Sequence, residues 1–270
     1  MRYLQIMTGL FFLLSINMVQ AAGEHDAHTH VAKVDAPQLT LTAKTQTPLT
    51  ENTATAVTLF LSQQGKGVGV DQLETVHTEK VHALIIDPSL TDYQHIHPTP
   101  GNKPGEYRFN FTPKTPYAYR IWLDITPVGG TQQYISTDIL GKNPQNPPVA
   151  KLLATKTEVD GYQFKLSFDQ PLKVGQSVMG SVMITDKNGQ EVKTLEPLME
   201  AFAHIVAFNE DYRTILHVHP MGAAPKDPKL RGGPRIDFHM TPTAAGFVKI
   251  FVQVKINGAE IFAPLGVNVQ

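Results

Sequence analysis

The sequence contains no cysteine. That absence excludes disulfides, thiolate metal sites, thiol catalysis and lipid attachment at cysteine. Any bound metal must rest on histidine, methionine, carboxylate or backbone oxygen. Charge is scarce as well: Asp, Glu, Lys and Arg make up 17% of the 270 residues, and the formal net charge is −1. No basic field is present to hold nucleic acid, so that partner class is not expected. A sustained 3.6-residue apolar period is also missing, which argues against long helices. Beyond the first twenty residues no apolar run is long enough to span a bilayer.

What is present reads as an exported β protein. Arg2, the apolar stretch Ile6 to Ile16 and the small-x-small sequence Val19-Gln20-Ala21 form an expected export signal over residues 1–21. The chain is accordingly expected in the periplasm or secreted, with no membrane span after cleavage. Residues 22–37 form a polar tail with His25, His28 and His30, candidates for capturing a metal. Hydrophobic residues reach 41%, enough for packed cores. Strand-like runs follow: Leu39 to Thr42, Ala56 to Leu61, Val81 to Ile86, Tyr107 to Phe111, Tyr119 to Ile125 and Gln133 to Ile139. A proline-rich stretch at 142–148 interrupts them as a stiff linker. Further strands are expected at Gln163 to Phe168, Ser177 to Thr185, Ala203 to Phe208, Ile236 to Met240 and Val248 to Ile256. Asn188-Gly189 and Asn257-Gly258 are hairpin signals, because both residues tolerate positive φ. The expected fold is all-β: two tandem immunoglobulin-like β-sandwiches, over 38–141 and 149–270.

The halves align with each other. Lys80 to Pro98 falls on Phe202 to Pro220 without a gap, and Phe109-Asn110-Phe111-Thr112-Pro113 falls on Phe238-His239-Met240-Thr241-Pro242. This order points to an internal duplication. Within positions 82–98 and 204–220, four of seventeen pairs are identical: three histidines and a proline. The motif is His-x12-His-x-His-Pro, formed by His82, His95, His97 and Pro98, and again by His204, His217, His219 and Pro220. Apolar positions between them changed identity while staying apolar. Packing asks only for volume and hydrophobicity, so the imidazoles answer to something more demanding.

The spacing has a geometric meaning. A hairpin closed near Pro88-Ser89 would set His82 opposite His95, with His97 on the same face two residues on. Opposed Cβ atoms lie about 5 Å apart, and three imidazoles there can converge on one ion at about 2.0 Å per nitrogen. Without a metal, three facing imidazoles repel when charged and each need two partners when neutral. The competing reading is a hydrogen-bonded structural core. His239 is a further candidate ligand of the second half. Every methionine after the export signal lies in that half, and Met199, Met221 and Met240 are near site histidines in sequence. Imidazole with thioether suits copper, with zinc as the alternative. His77 is assigned to a loop without a role.

The His-x-His-Pro pair, together with Gly-x-Tyr-x-Phe-x-Phe-x-Pro at Gly105 to Pro113, resembles bacterial periplasmic Ig-like proteins of the YtkA-like type. More loosely the chain resembles the CopC-type copper-resistance sandwiches. It departs from them in having two sandwiches and in not beginning the mature chain with histidine. The resemblance implies periplasmic metal handling. The leading expectation is a non-enzymatic metal-binding protein for storage, delivery or resistance, partnered by a metal ion and a transport or sensor protein. A three-histidine metalloenzyme and a metal-free structural or adhesive module are the alternatives.

Overall fold

A computed structural model describes residues 38–270 except Pro144 and His219, and for His217 the backbone alone. The expected export signal and the tail histidines His25, His28 and His30 lie outside the described residues.

The first half forms β1 (Leu39–Thr45), β2 (Thr55–Gln63), β3 (Lys66–Gly67), β4 (His82–Ile86), β5 (Tyr93–Ile96), β6 (Thr99–Pro100), β7 (Glu106–Phe111), β8 (Tyr119–Ile125) and β9 (Gln133–Ile139). The second forms β10 (Lys156–Val159), β11 (Tyr162–Phe168), β12 (Val178–Asp186), β13 (His204–Asn209), β14 (Ile215–Val218), β15 (Arg235–Met240), β16 (Gly246–Ile256) and β17 (Ala259–Val269). Among the described residues the one helical turn is Val70–Gln72.

Each half is a two-sheet sandwich. In the first, the order β1-β2-β7-β6, with β3 on the edge of β2, faces β5-β4-β8-β9. That is the arrangement of an immunoglobulin-like domain. In the second, β10-β11-β12-β15 faces β14-β13-β16-β17. The central strands repeat in order, so the duplication holds in three dimensions. Period-2 alternation explains the packing. Val57, Leu59 and Leu61 of β2 point inward to meet Ala83 and Ile85 of β4 and Ile121 and Leu123 of β8. The second core repeats this with Val182 and Ile184 against Ile205, Ala207, Ile250 and Val252.

At the start of β8, the buried Tyr119 closes a corner. The Thr115 backbone N–H donates to its hydroxyl at 3.0 Å, and the hydroxyl donates to Asp92 Oδ2 at 2.6 Å. Replacing Tyr119 with Phe leaves a buried carboxylate oxygen short of a donor. The expected cost is about 1–3 kcal/mol in urea denaturation.

β4 and β13 have no exposed face. Ala83 and Ile85 enter the first core, while Leu84 and Ile86 turn outward and meet Val206, Phe208 and Phe251 of the second sandwich in a third apolar cluster. Two buried faces explain why Ala83-Leu84-Ile85-Ile86 shows no polar alternation. Polar contacts flank the seam. Arg120 Nη1 donates to the Tyr212 carbonyl at 2.9 Å, and the Tyr212 hydroxyl donates to the Ile86 carbonyl at 3.1 Å. The expected linker is pinned at its start, where Lys142 N–H donates to the Leu49 carbonyl at 3.0 Å. Val149 packs on the third cluster.

Candidate metal centre

His82 opens β4 on the same face as Leu84 and Ile86, and His204 opens β13 on the same face as Val206 and Phe208. Both first histidines of the two motifs therefore point into the seam between the sandwiches. In the β4–β5 hairpin, Ala83 pairs with Ile96 and Leu84 with His95. The expected pairing of His82 with His95 is corrected by two positions, and continuing the register sets His97 across from His82. The cause is the turn: Asp87 Oδ1 accepts from the backbone N–H of Thr91 and of Asp92, each at 2.8 Å, and this moves the closure one residue along. A one-residue move of the centre leaves parity intact, so His82, His95 and His97 share a face.

The three rings converge. His95 Nε2 lies 3.1 Å and His97 Nε2 3.2 Å from His82 Nδ1. One nitrogen from each ring falls within 4.8 Å of the others. Ring centroids are 5.3, 4.9 and 5.0 Å apart. Imidazoles sharing one tetrahedral ion at about 2.0 Å per nitrogen have their nitrogens roughly 3.3 Å and their centroids roughly 5 Å apart.

The surrounding hydrogen bonds fix which nitrogens carry protons. His82 Nε2 is 2.9 Å from the Val76 carbonyl, which can only accept, so Nε2–H donates. Its Nδ1 is left with a lone pair. His95 Nδ1 is 3.1 Å from Gln253 Oε1, and the Gln253 amide nitrogen donates to Glu260 Oε2 at 2.8 Å. His95 therefore donates from Nδ1 and turns the lone pair of Nε2 toward His82. The repulsion of two facing lone pairs is offset by a proton donated from His97 Nε2 to His82 Nδ1, or by a cation between the rings. Donating the outer N–H to a carbonyl or amide is also how metal-bound imidazoles are usually oriented. The group His82, His95 and His97 could hold a metal ion.

Burial tunes the centre. His82 is 2% exposed and His204 fully buried. Desolvation lowers the pKa of His82, His97 and His77, and lowers that of His204 to about 4. The neutral, ligating form is thus favoured at neutral pH. Asp124 pairs in register with His82. Burial raises its pKa, which the hydrogen bonds donated by the Gln132 amide oppose. The matching residue opposite His204 is Gln253.

His204 repeats the orientation of His82. Its Nε2–H donates to the Leu198 carbonyl at 3.2 Å, six residues upstream, as Val76 is from His82. Its ring centroid lies 5.9 Å from His95. The backbone of His217 pairs with Val206, and His219 lies outside the described residues. The structure does not bring His239 or Met240 to this seam. His239 is exposed on β15, on the far sheet, and Met240 is 1% exposed inside the second core. Odd–even alternation along β15 separates the two, and the whole strand belongs to the sheet that does not face the first sandwich. Met221 is 51% exposed. Met199 sits half-buried in the turn below His204.

Two residues near the cluster have no part in the motif. Gln253 reaches His95 from the other sandwich, and His77 stands 6.5 Å from His82 and 5.7 Å from His204 between ring centroids. The gap-free alignment extended upstream would have flagged His77, because it falls on Met199. Gln253 carries a measurable role: replacing it with Ala strips the acceptor from His95 Nδ1. A loss of metal affinity of about 10-fold is expected, read by chelator competition.

No curated protein matches this sequence. Among solved structures, red sea bream transglutaminase aligns with a TM-score of 0.26 at 10% identity, over 87% of this chain and 32% of that one. The chain thus spans about a third of that protein's length. A family profile described as a domain of unknown function matches residues 21–139 and 157–270, one segment over each sandwich. The chain belongs to this family, DUF8832.

Proposed function

We propose that this chain is an exported, non-enzymatic metal-binding protein that handles copper, with zinc as the alternative, in storage, delivery or resistance. The observation that carries the reading is the convergence of His82 Nδ1, His95 Nε2 and His97 Nε2, with the outer nitrogens of His82 and His95 already committed as donors. Three ring nitrogens turned toward one centre is the arrangement that a shared ion requires. Copper is favoured because it binds nitrogen sites more tightly than the other divalent first-row ions. His217 and His219 complete the second motif by sequence equivalence. The tail histidines His25, His28 and His30 serve capture, and a periplasmic transport or sensor protein receives the ion. Among the described residues no helix is long and apolar enough to cross a membrane.

The test is equilibrium dialysis against copper or zinc at pH 7 with elemental analysis. The full chain carries His25→Ala, His28→Ala and His30→Ala, so that the tail contributes nothing. Retention of at least one ion per chain is expected. Retention of neither metal rejects the reading. Cell fractionation tests export, with recovery in the cytoplasm as the opposing result.

A further inference from the structure

His77 belongs to neither motif, yet the fold delivers it to the centre. It occupies the turn Val76–Glu79, closed by backbone hydrogen bonds in both directions between those two residues. His77 and Thr78 both have positive φ, at 50° and 71°. The second half has the same turn at Leu198–Ala201, where Met199 and Glu200 have φ of 50° and 61°. Each turn serves its own sandwich in one respect: Val76 and Leu198 offer the carbonyls that orient His82 and His204.

The His77 side chain serves the other sandwich. Its ring stands edge-on to His204 at 5.7 Å between centroids, closer than to His82 of its own domain at 6.5 Å. The separation from His204 is close to that of the three converging rings. It is wider than the roughly 5 Å of two imidazoles on a tetrahedral ion, and corresponds to a more open angle at the metal of roughly 130° at about 2.0 Å per nitrogen. His204 is fully buried, and its Nε2–H is donated to the Leu198 carbonyl. His77 and His204 do not join the nitrogen group of His82, His95 and His97. They stand beside it, with His204 5.9 Å from His95.

We propose that His77 is a cross-domain ligand that, with His204, holds a second metal ion next to the one bound by His82, His95 and His97, so that the loaded centre carries two ions astride the seam. This rests on the metal-binding reading above. The first ion takes its ligands from one sandwich. The second draws on both, so filling it depends on the two sandwiches being docked.

The experiment titrates the metal-free full chain, with the three tail histidines replaced by alanine, using copper(II). Stoichiometry is read by chelator competition, and electron paramagnetic resonance is recorded at one and two equivalents. Two ions are expected, with signal lost or broadened at the second equivalent through coupling between neighbours. His77→Asn preserves the turn, because asparagine tolerates positive φ, while removing the imidazole. This variant is expected to bind the first ion unchanged, weaken the second at least 10-fold and lose the coupling. His95→Asn should instead weaken the first. If the parent binds a single ion, or if His77→Asn binds two with unchanged affinity and coupling, the inference is overturned while the metal-binding reading stands. If the parent binds none, both fail.

Discussion

Replacing His82 with Ala is expected to weaken binding of the first ion by on the order of 100-fold or more, beyond what loss of an outer-shell partner costs. His82 is the hub of the cluster, because both other imidazoles approach its Nδ1. The loss should appear in thermal stability. An ion that binds only the folded chain stabilises it by about 4 kcal/mol at a thousand times its Kd, and a 100-fold weaker site forfeits about 2.7 kcal/mol of that. Differential scanning calorimetry with and without copper(II) checks this. The metal-dependent rise in Tm should shrink in the variant while the metal-free protein still unfolds cooperatively. Loss of the fold in metal-free buffer would instead mark His82 as structural.

Acid should destabilise the metal-free chain strongly. His204 has its pKa held at about 4 by burial, against about 6.5 for an unfolded histidine. Between those values the unfolded chain binds the extra proton and the folded chain does not. Stability is therefore complete above about pH 6.5 and falls as the pH drops toward 4. His204 alone accounts for on the order of 3 kcal/mol of that fall, and its full burial leaves little solvent screening. His77, His82 and His97 are shifted in the same direction. Asp124, whose pKa burial raises, works the other way. Urea denaturation of the metal-free chain at intervals from pH 7 to pH 4 measures the slope. A flat profile would show that these imidazoles are not held neutral. In the loaded protein the same protons compete with the metal for the ring nitrogens, so release is expected over the same range.

The architecture was legible because β structure announces itself locally. The strand-like run Ala56 to Leu61 contains the core residues Val57, Leu59 and Leu61, and the Asn257-Gly258 turn has both residues at positive φ, as its type requires. Motif parity was legible too, since residues two apart in a strand share a face. Register was not. It depends on how Asp87 ties its own turn, a side-chain choice that leaves no spacing signal. The docking of the sandwiches was written in the unbroken apolar stretch Ala83 to Ile86, whose lack of alternation means burial on both sides. Which surface covers the second face is a long-range matter, and His77 and Gln253 became visible only once that face was known. His239 and Met240 were drawn in by sequence proximity to the motif. Strand order overruled that proximity, because neighbours in the alignment sit on opposite sheets.

Trp122 is the chain's single tryptophan, and it packs against the apolar cluster where the two halves meet. It pairs across β8 and β4 with Leu84, which pairs in turn with His95. Indole emission from this protein therefore comes from one place, two strands from a candidate ligand. Copper arriving at the histidines should quench it, and separation of the halves should shift it to the red, so one intrinsic fluorophore reports both occupancy and docking without a label.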